Sequence, residues 1–193
     1  DSITLTADLS SLPVDSRIPL EEFTSHDNLI LRAARLLQQH TGISRGAAIH
    51  IRKHIPLQSG LAGGSTDAAA TLVALNQLWE LGLSHAELQH LSAQLGSDIP
   101  FFFCPAPGAV CSGRGEIVRP LPPGPELAFV IARPESGLST PLVFKHLSLQ
   151  GASVSIEPVC DAWQARRRSC LASRLFNRLQ APAEFLNADV VHL

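Results

Sequence analysis

Alternation of apolar and polar residues predicts two strands in the first third of the chain. Residues 1–12 alternate at Ile3, Leu5 and Ala7, which is the period of a half-buried strand. Residues 47–55 alternate in the same way, and one face of this second strand carries Ile49, Ile51, Lys53 and Ile55. Lys53 is the only charged residue on that face, which makes it a candidate for chemistry.

Three segments show the 3.6-residue spacing of helices. Asp27 can cap the first helix, and Gly42 ends its apolar stripe. Ser84 and Glu87 have the spacing of a capping box for a third helix, which runs through Leu95. Between them a helix is predicted over 65–81, with inward side chains at Ala68, Ala69, Leu72, Val73, Leu75, Leu78 and Trp79.

The second half of the chain carries weaker patterns. Residues 109–120 are typical of a hairpin that turns at 113–116, and 127–132 predicts a short buried strand. A helix is predicted over 171–186, interrupted by Pro182. The Pro-rich connection 120–125 predicts a domain boundary.

Composition limits the classes of protein to which the chain can belong. With 193 residues, 45% of them hydrophobic, it can bury one core or slightly more. The net charge of -2 and the lack of a long apolar run give no reason to expect a nucleic-acid or membrane partner. We therefore predict a cytoplasmic protein with small-molecule partners. The chain contains no Met, which predicts an internal or trimmed part of a longer protein, and the sequence makes no prediction of oligomeric state.

Neither the cysteines nor the eight histidines are spaced as metal ligands. The cysteines form no Cys-x-x-Cys pair and no regular framework, so we predict reduced structural thiols at Cys104, Cys111, Cys160 and Cys170. No metal site built from protein side chains is predicted.

The segment 55–70 is the strongest candidate for chemistry. A strand-like run breaks at Pro56 into a turn rich in Gly, Ser and Thr, and an Ala-rich helix follows. Glycines let consecutive backbone N–H groups converge on an anion, and the start of the helix adds donors and the positive end of its dipole. The alternative is a Gly-rich turn that only begins a buried helix. Since no Lys follows the glycines and Gly-x-Gly-x-x-Gly is absent, a Walker A loop and a dinucleotide fingerprint are excluded.

Two charged residues near this loop each have two interpretations. Lys53 is either an edge residue that extends its ammonium to solvent or a functional ammonium next to the loop. Asp98 lies in a tight turn before three phenylalanines. Its side chain either caps that turn or acts as a base that orients a hydroxyl.

The order of these motifs resembles the GHMP kinase superfamily. The matching segments are Pro-x-x-x-Gly-Leu-x-Gly-Gly-Ser-Thr-Asp-Ala-Ala at 56–69, Ala-Leu-Asn-Gln-Leu-Trp at 74–79 and Leu-Gly-Ser-Asp-Ile-Pro-Phe-Phe at 95–102. The last two segments narrow the resemblance to members that act on a cytidine-diphosphate sugar alcohol. The resemblance runs from about Asp27 to Leu147 and fades beyond it.

This resemblance implies an α+β fold, the GHMP kinase fold. In that fold an N-terminal domain is similar to the second domain of a ribosomal S5 protein, and a ferredoxin-like C-terminal domain follows. The expected domains are 1–125, incomplete at its start, and 126–193, a connection with a truncated C-terminal domain. The implied activity is phosphorylation of the 2-hydroxyl of 4-diphosphocytidyl-2-C-methyl-D-erythritol, with ATP and Mg²⁺, in the non-mevalonate route to isoprenoids.

The resemblance also implies roles for individual residues. Asp98 matches the catalytic base, and Lys53 matches a lysine near the nucleotide. Either Ser65 or Thr66 supplies a hydroxyl near the metal, and the sequence does not distinguish between the two. The ATP phosphate loop corresponds to Pro56, Leu57, Gln58, Ser59, Gly60, Leu61, Ala62, Gly63, Gly64, Ser65 and Thr66.

The chain departs from the family pattern in several places. Gln58 and Ala62 stand where family loops usually have glycine, and a positive φ at either is expected to cost about 1 kcal/mol. The Lys-x-Asn-Leu strand, the Gly-Tyr-His segment and the Gly-Ser-Gly segment of the family have no counterpart here. We therefore expect this chain alone to be inactive and the complete protein to be a kinase. The alternatives are another GHMP kinase, of homoserine or mevalonate type, and a non-catalytic nucleotide-binding relative.

Overall fold

The computed structural model describes residues 2–13, 18–57, 59–134, 136–148 and 154–193. Contacts divide the chain into two units. The first unit consists of Asp1–Cys104 and Cys111–Arg119, and the second of Pro105–Val110 and Pro120–Leu193. The division into domains 1–125 and 126–193, with a truncated ferredoxin-like C-terminal domain, stays a prediction.

Both predicted strands of the first unit are confirmed. β1 (Ile3–Asp8) and β2 (Ala47–Arg52) pair in parallel, from Ile3 opposite Ala47 to Asp8 opposite Arg52. β2 ends three residues before the predicted end at residue 55. The backbone N–H of Lys53 still donates to the carbonyl of Asp8 at 2.9 Å. The Lys53 side chain is buried, as the alternation along the predicted strand indicated.

Helices α1 (Leu20–Phe23) and α2 (Leu29–Thr41) lie between these strands. The predicted cap Asp27 is wrong, because the side chain of Asn28 accepts the Ile30 N–H at 2.8 Å. Asn28 also donates to the Phe23 carbonyl, so its amide joins the start of α2 to the end of α1. Gly42 ends α2 with φ 71°, as predicted.

Helices α3 (Gly63–Leu78) and α4 (His85–Ser92) follow β2. α3 begins two residues earlier and ends three residues earlier than predicted. The capping box of α4 is confirmed, because the Ser84 hydroxyl accepts the Glu87 N–H while the Glu87 carboxylate accepts the Ser84 N–H. α4 ends at Ser92 and not at Leu95.

One hydrophobic core fills the first unit, between α2, α3, α4 and a short 3-10 segment (Ile99–Phe103). The predicted inward face of α3 is correct except at Leu78, whose side chain is 63% exposed. The fully buried members of the core are Ala33, Ala34, Leu37, Ala68, Leu72 and Ile99.

The Asn-x-Leu-Trp segment stabilises the end of α3. The Asn76 amide donates to the carbonyl of Leu83 and accepts its N–H, at 3.0 and 3.1 Å. The buried Trp79 indole donates to the carbonyl of Gly46, just before β2. This motif therefore holds the helix end and β2 in place.

The predicted hairpin is confirmed as β3 (Ala109–Ser112) and β4 (Ile117–Pro120). Among the described residues, 127–132 forms no strand and exposes Phe129, Val130 and Ile131, so the predicted buried strand is wrong. An apolar run of this length does not identify the partner that a strand needs.

The other regular elements in the described part of the second unit are helices, whereas residues 121–134 and 136–139 form neither helix nor strand. The predicted helix 171–186 is wrong as a single element, because residues 173–179 separate two helices. Pro182 lies in the first turn of the later helix, where its missing N–H costs no hydrogen bond. The helices are α5 (Thr140–Lys145), α6 (Glu157–Gln164), α7 (Arg168–Ala172), α8 (Gln180–Leu186) and α9 (Ala188–Val191).

All four cysteines are free thiols, as predicted. Within the described ranges, no helix is both long enough and apolar enough to span a bilayer.

Candidate active site

The Gly-rich loop ends in a left-handed turn at Ala62. Ala62 has φ 53° and ψ 26° and is the N-cap of α3, yet it gives the helix no side-chain cap hydrogen bond. The positive φ considered for Ala62 is therefore confirmed, whereas Gln58 lies outside the described residues. Gly60 also has a positive φ, of 71°.

The first turn of α3 keeps unused backbone donors. Within the described part of the chain, the N–H groups of Gly63, Gly64 and Ser65 have no acceptor. The first internal bond of the helix runs from the N–H of Thr66 to the carbonyl of Ala62, at 3.0 Å. Adjacent unused N–H groups at the positive end of a 16-residue helix are what an anion cradle requires.

The two candidate metal-side hydroxyls differ in their partners. The Thr66 hydroxyl donates to the carbonyl of Ala62 at 3.0 Å. The Ser65 hydroxyl makes no hydrogen bond with the described residues and is half-buried. Ser65 is therefore the more available of the two for a ligand.

Lys53 is buried and ion-paired, so its interpretation as an edge residue extending to solvent is wrong. Its Nζ lies 2.5 Å from Oδ2 of Asp67, with side-chain exposures of 4% and 20%. Sequence reasoning missed Asp67 as a site residue. The signal was an acid in the first turns of the helix after the loop, facing a lysine on the inward face of the strand before it.

The Lys53 ammonium lies directly against the start of α3. A Cβ on Gly63 would come within 2.9 Å of Lys53 Nζ and 3.0 Å of Cγ2 of Ile55. A side chain there would require the Lys53 ammonium or Ile55 to shift. A Cβ on Gly64, by contrast, would meet Leu29 Cδ1 at 3.6 Å, which is an ordinary van der Waals contact.

A cavity of about 410 Å³ opens beside the loop, in the range of small-molecule sites. Leu57, Gly64, Lys53 and Asp67 join the loop and the ion pair to this cavity. The remaining lining comes from α1, the start of α2 and the residues next to them: Ile18, Glu22, Phe23, Ser25, Asp27, Asn28 and Leu29.

Asp98 lies elsewhere in the first unit and does not line this cavity. It precedes the 3-10 segment without capping it through its side chain, so the turn-cap interpretation is not supported. The carboxylate is exposed, and its one side-chain bond to a described residue is a long one from the Ser97 hydroxyl, at 3.5 Å. Asp98 is therefore free to meet a ligand.

The segment that follows Asp98 is anchored in the core. Ile99 and Phe103 are buried in the core, and the 3-10 segment packs against α3 and α4. Gln89 donates to the carbonyl of Pro100, and the His85 ring packs edge-on against Phe103. An exposed carboxylate next to a segment anchored in the core suits a group that must meet a reacting atom.

The β3–β4 turn packs against Asp98. A Cβ on Gly115, which has φ 129°, would come within 3.3 Å of Oδ1 of Asp98. Partial burial raises the pKa of the nearby Cys111 thiol, and the negative charge of Asp98 raises it further, with a smaller contribution from the neighbouring Cys104. Among the described residues, no group of three His, Cys, Asp or Glu side chains is placed to hold a metal.

Comparison with known proteins identifies the class. Residues 28–105 match the family "GHMP kinases N terminal domain", a range that contains the loop, Lys53, Asp67 and Asp98. This part of the chain is therefore a GHMP kinase N-terminal domain, and the mixed helix-and-strand fold is the GHMP kinase fold.

Two relatives of the chain share the name of one enzyme. The chain is 50% identical over 127 residues to 4-diphosphocytidyl-2-C-methyl-D-erythritol kinase of Acidovorax sp. (strain JS42), a match that covers 64% of this chain and 44% of the relative. The same enzyme of Geobacillus thermodenitrificans (strain NG80-2) is 46% identical over 151 residues, covering 78% and 48%.

A solved structure agrees with these relatives. The crystal structure of 4-(cytidine 5'-diphospho)-2C-methyl-D-erythritol kinase has a TM-score of 0.64 and 29% identity. The match covers all of this chain and 64% of that one. The chain spans about half the length of the curated relatives that it matches.

Proposed function

We propose that the complete protein is an ATP-dependent kinase that phosphorylates the 2-hydroxyl of 4-diphosphocytidyl-2-C-methyl-D-erythritol. The observation that carries the proposal is the uncapped start of α3, with three unused N–H groups, next to a cavity of about 410 Å³ and a buried ammonium. The names of the relatives support this substrate.

The loop and the cavity divide the binding of ATP between them. The N–H groups of Gly63, Gly64 and Ser65 hold phosphate oxygens, which the positive end of α3 also favours. The cavity, with apolar walls at Phe23, Leu29 and Leu57, takes the nucleoside. Because Gly64 lines both the loop and the cavity, one molecule can occupy the two together.

The donor set suits Mg²⁺ carried by the triphosphate. No cluster of carboxylates among the described residues is placed to hold the ion alone, and Asp67 is engaged by Lys53. Phosphate oxygens and the free Ser65 hydroxyl are hard oxygen ligands of the kind that Mg²⁺ prefers. When bound, the ion neutralises charge on the phosphates.

Asp98 acts on the acceptor alcohol. Its carboxylate accepts the proton of the 2-hydroxyl as that oxygen bonds to the γ-phosphorus, while the bond from this phosphorus to the β–γ bridging oxygen breaks and ADP leaves. The core-anchored segment that follows Asp98 holds the backbone from which the carboxylate extends, and positioning supplies most of the catalysis in such a transfer. A cytoplasmic location accords with this role and stays a prediction.

Turnover with three alcohols tests the proposal. The complete protein is incubated with Mg²⁺-ATP and 4-diphosphocytidyl-2-C-methyl-D-erythritol, homoserine or mevalonate, and the phosphorylated product is identified by mass spectrometry. We expect product from the first alcohol alone. Product only from homoserine or mevalonate would assign the protein to another GHMP kinase. ATP binding without any product would favour a non-catalytic relative.

A further inference from the structure

The ion pair between Lys53 and Asp67 lies at the positive end of the α3 helix dipole. Lys53 Nζ touches the first turn of α3, which is the positive end of the helix dipole. A cation there is unfavourable by itself, and burial of an ammonium adds a further cost. The carboxylate of Asp67, 2.5 Å away, offsets both costs.

Asp67 positions the Lys53 ammonium as well as neutralising its charge. Asp67 lies four residues after Gly63, so the two share one face of α3. The carboxylate therefore draws Nζ towards the underside of Gly63. An ammonium has three donors, and Asp67 is the one acceptor that Lys53 Nζ has among the described residues. Two donors remain beside the cavity that Lys53 lines.

We propose that Asp67 is a positioning residue, which holds the Lys53 ammonium beneath Gly63 with two N–H donors left for an oxygen of a bound phosphate chain. The inference rests on the proposed function, because the phosphate chain is that of ATP. Asp67 itself touches no substrate and acts only through Lys53. A purely structural ion pair would stabilise the first unit without any effect specific to the nucleotide.

Chemical labelling of lysines tests the Lys53–Asp67 ion pair independently of enzymatic activity. The chain has two lysines, buried Lys53 and exposed Lys145, which serves as an internal reference. The complete protein is treated with acetic anhydride, and acetylation is followed peptide by peptide by mass spectrometry. In the wild type we expect Lys53 to react at least about tenfold more slowly than Lys145, because it is buried and ion-paired.

Two variants and one ligand complete the labelling test. Asp67→Asn removes the counter-charge, so Lys53 should react about tenfold faster. The matched control is Asp8→Asn, which removes the half-buried partner of the exposed, neighbouring Arg52, at 3.3 Å, and should leave the reactivity of Lys53 unchanged. Inorganic triphosphate should slow acetylation of Lys53 in the wild type and not in Asp67→Asn. Equal Lys53 reactivity in the wild type and Asp67→Asn, or equal protection by triphosphate, would overturn the inference.

Kinetics of the complete enzyme separate positioning from stability. In Asp67→Asn we expect the KM for ATP to rise about tenfold, the effect of one charge-assisted hydrogen bond, with the KM for the alcohol unchanged. A fall in kcat with an unchanged KM for ATP would contradict positioning. If Asp67→Asn does not fold, Lys53→Gln is compared with the double variant that also carries Asp67→Asn, because the first removes the ammonium alone and the second removes both charges of the pair.

The double variant also tests whether Asp67 acts through Lys53. Equal KM values for ATP in Lys53→Gln and in the double variant would support the inference, and a higher KM in the double variant would overturn it. A wild type that phosphorylates none of the three alcohols would reject the proposed function. The labelling result and its response to triphosphate would still decide the role of Asp67.

Discussion

Gly63 and Lys53 are packed so closely that a Cβ on Gly63 would lie 2.9 Å from the Lys53 ammonium nitrogen. The same Cβ would lie 3.0 Å from Cγ2 of Ile55. The start of the helix, the strand end and the buried ion pair therefore share one tightly filled space. The glycine is required by its neighbours on the inner side, whereas its N–H remains available to a ligand.

Gly63→Ala should therefore destabilise the protein. Overpacking against a buried ammonium and a branched side chain is expected to lower the free energy of unfolding by about 1–3 kcal/mol. Gly64→Ala is the matched control, because its nearest neighbour is 3.6 Å away. That control should leave the free energy unchanged or raise it by at most about 1 kcal/mol. Urea denaturation measures both, and equal losses in the two variants would refute this packing.

Ala62→Gly should stabilise the protein. Ala62 has φ 53°, a conformation that costs alanine on the order of 1 kcal/mol, and glycine adopts it freely at a smaller entropic cost. We expect a gain of about 0.5 kcal/mol in the free energy of unfolding. Ala70→Gly, at an exposed position of α3, should instead lose about 1 kcal/mol. A loss of the same size in Ala62→Gly would show that Ala62 is unstrained.

Cys111 reports on the charge of Asp98. Partial burial, the negative charge of Asp98 and, to a smaller extent, the neighbouring Cys104 hold the pKa of this thiol above its usual range. Removing the negative charge in Asp98→Asn should lower that pKa and speed alkylation by iodoacetamide at pH 8, by about twofold. Peptide-resolved mass spectrometry follows the reaction, with Cys170 as the internal reference. An unchanged ratio of the Cys111 and Cys170 alkylation rates would show that the charge of Asp98 does not affect Cys111.

Local rules predicted much of the first unit. The capping box of Ser84 and Glu87 and the glycine stop at Gly42 depend on residues a few positions apart, so the sequence contains the whole signal. The inward direction of Lys53 followed from the two-residue period of a strand. The loop and Asp98 were found because they belong to motifs of fixed spacing.

Features that depend on tertiary partners could not be predicted in this way. The ion pair of Lys53 with Asp67 joins residues 14 positions apart, and only the folding of the chain brings them together. Residues 127–132 have a strand-like composition, but a strand also needs a hydrogen-bonding neighbour, which composition does not provide. Leu78 follows the helical period, yet it lies where α3 ends and its side chain is exposed.

The most direct test of the account is the turnover of the complete Asp98→Asn protein with Mg²⁺-ATP and 4-diphosphocytidyl-2-C-methyl-D-erythritol. Because Asp98 is exposed and lies outside the core, the variant should fold as the wild type does. Loss of a positioned base should lower kcat by about 10²–10⁴-fold. Asp8→Asn, another carboxylate of the first unit, should keep wild-type turnover. Wild-type kcat in a folded Asp98→Asn protein would contradict the account.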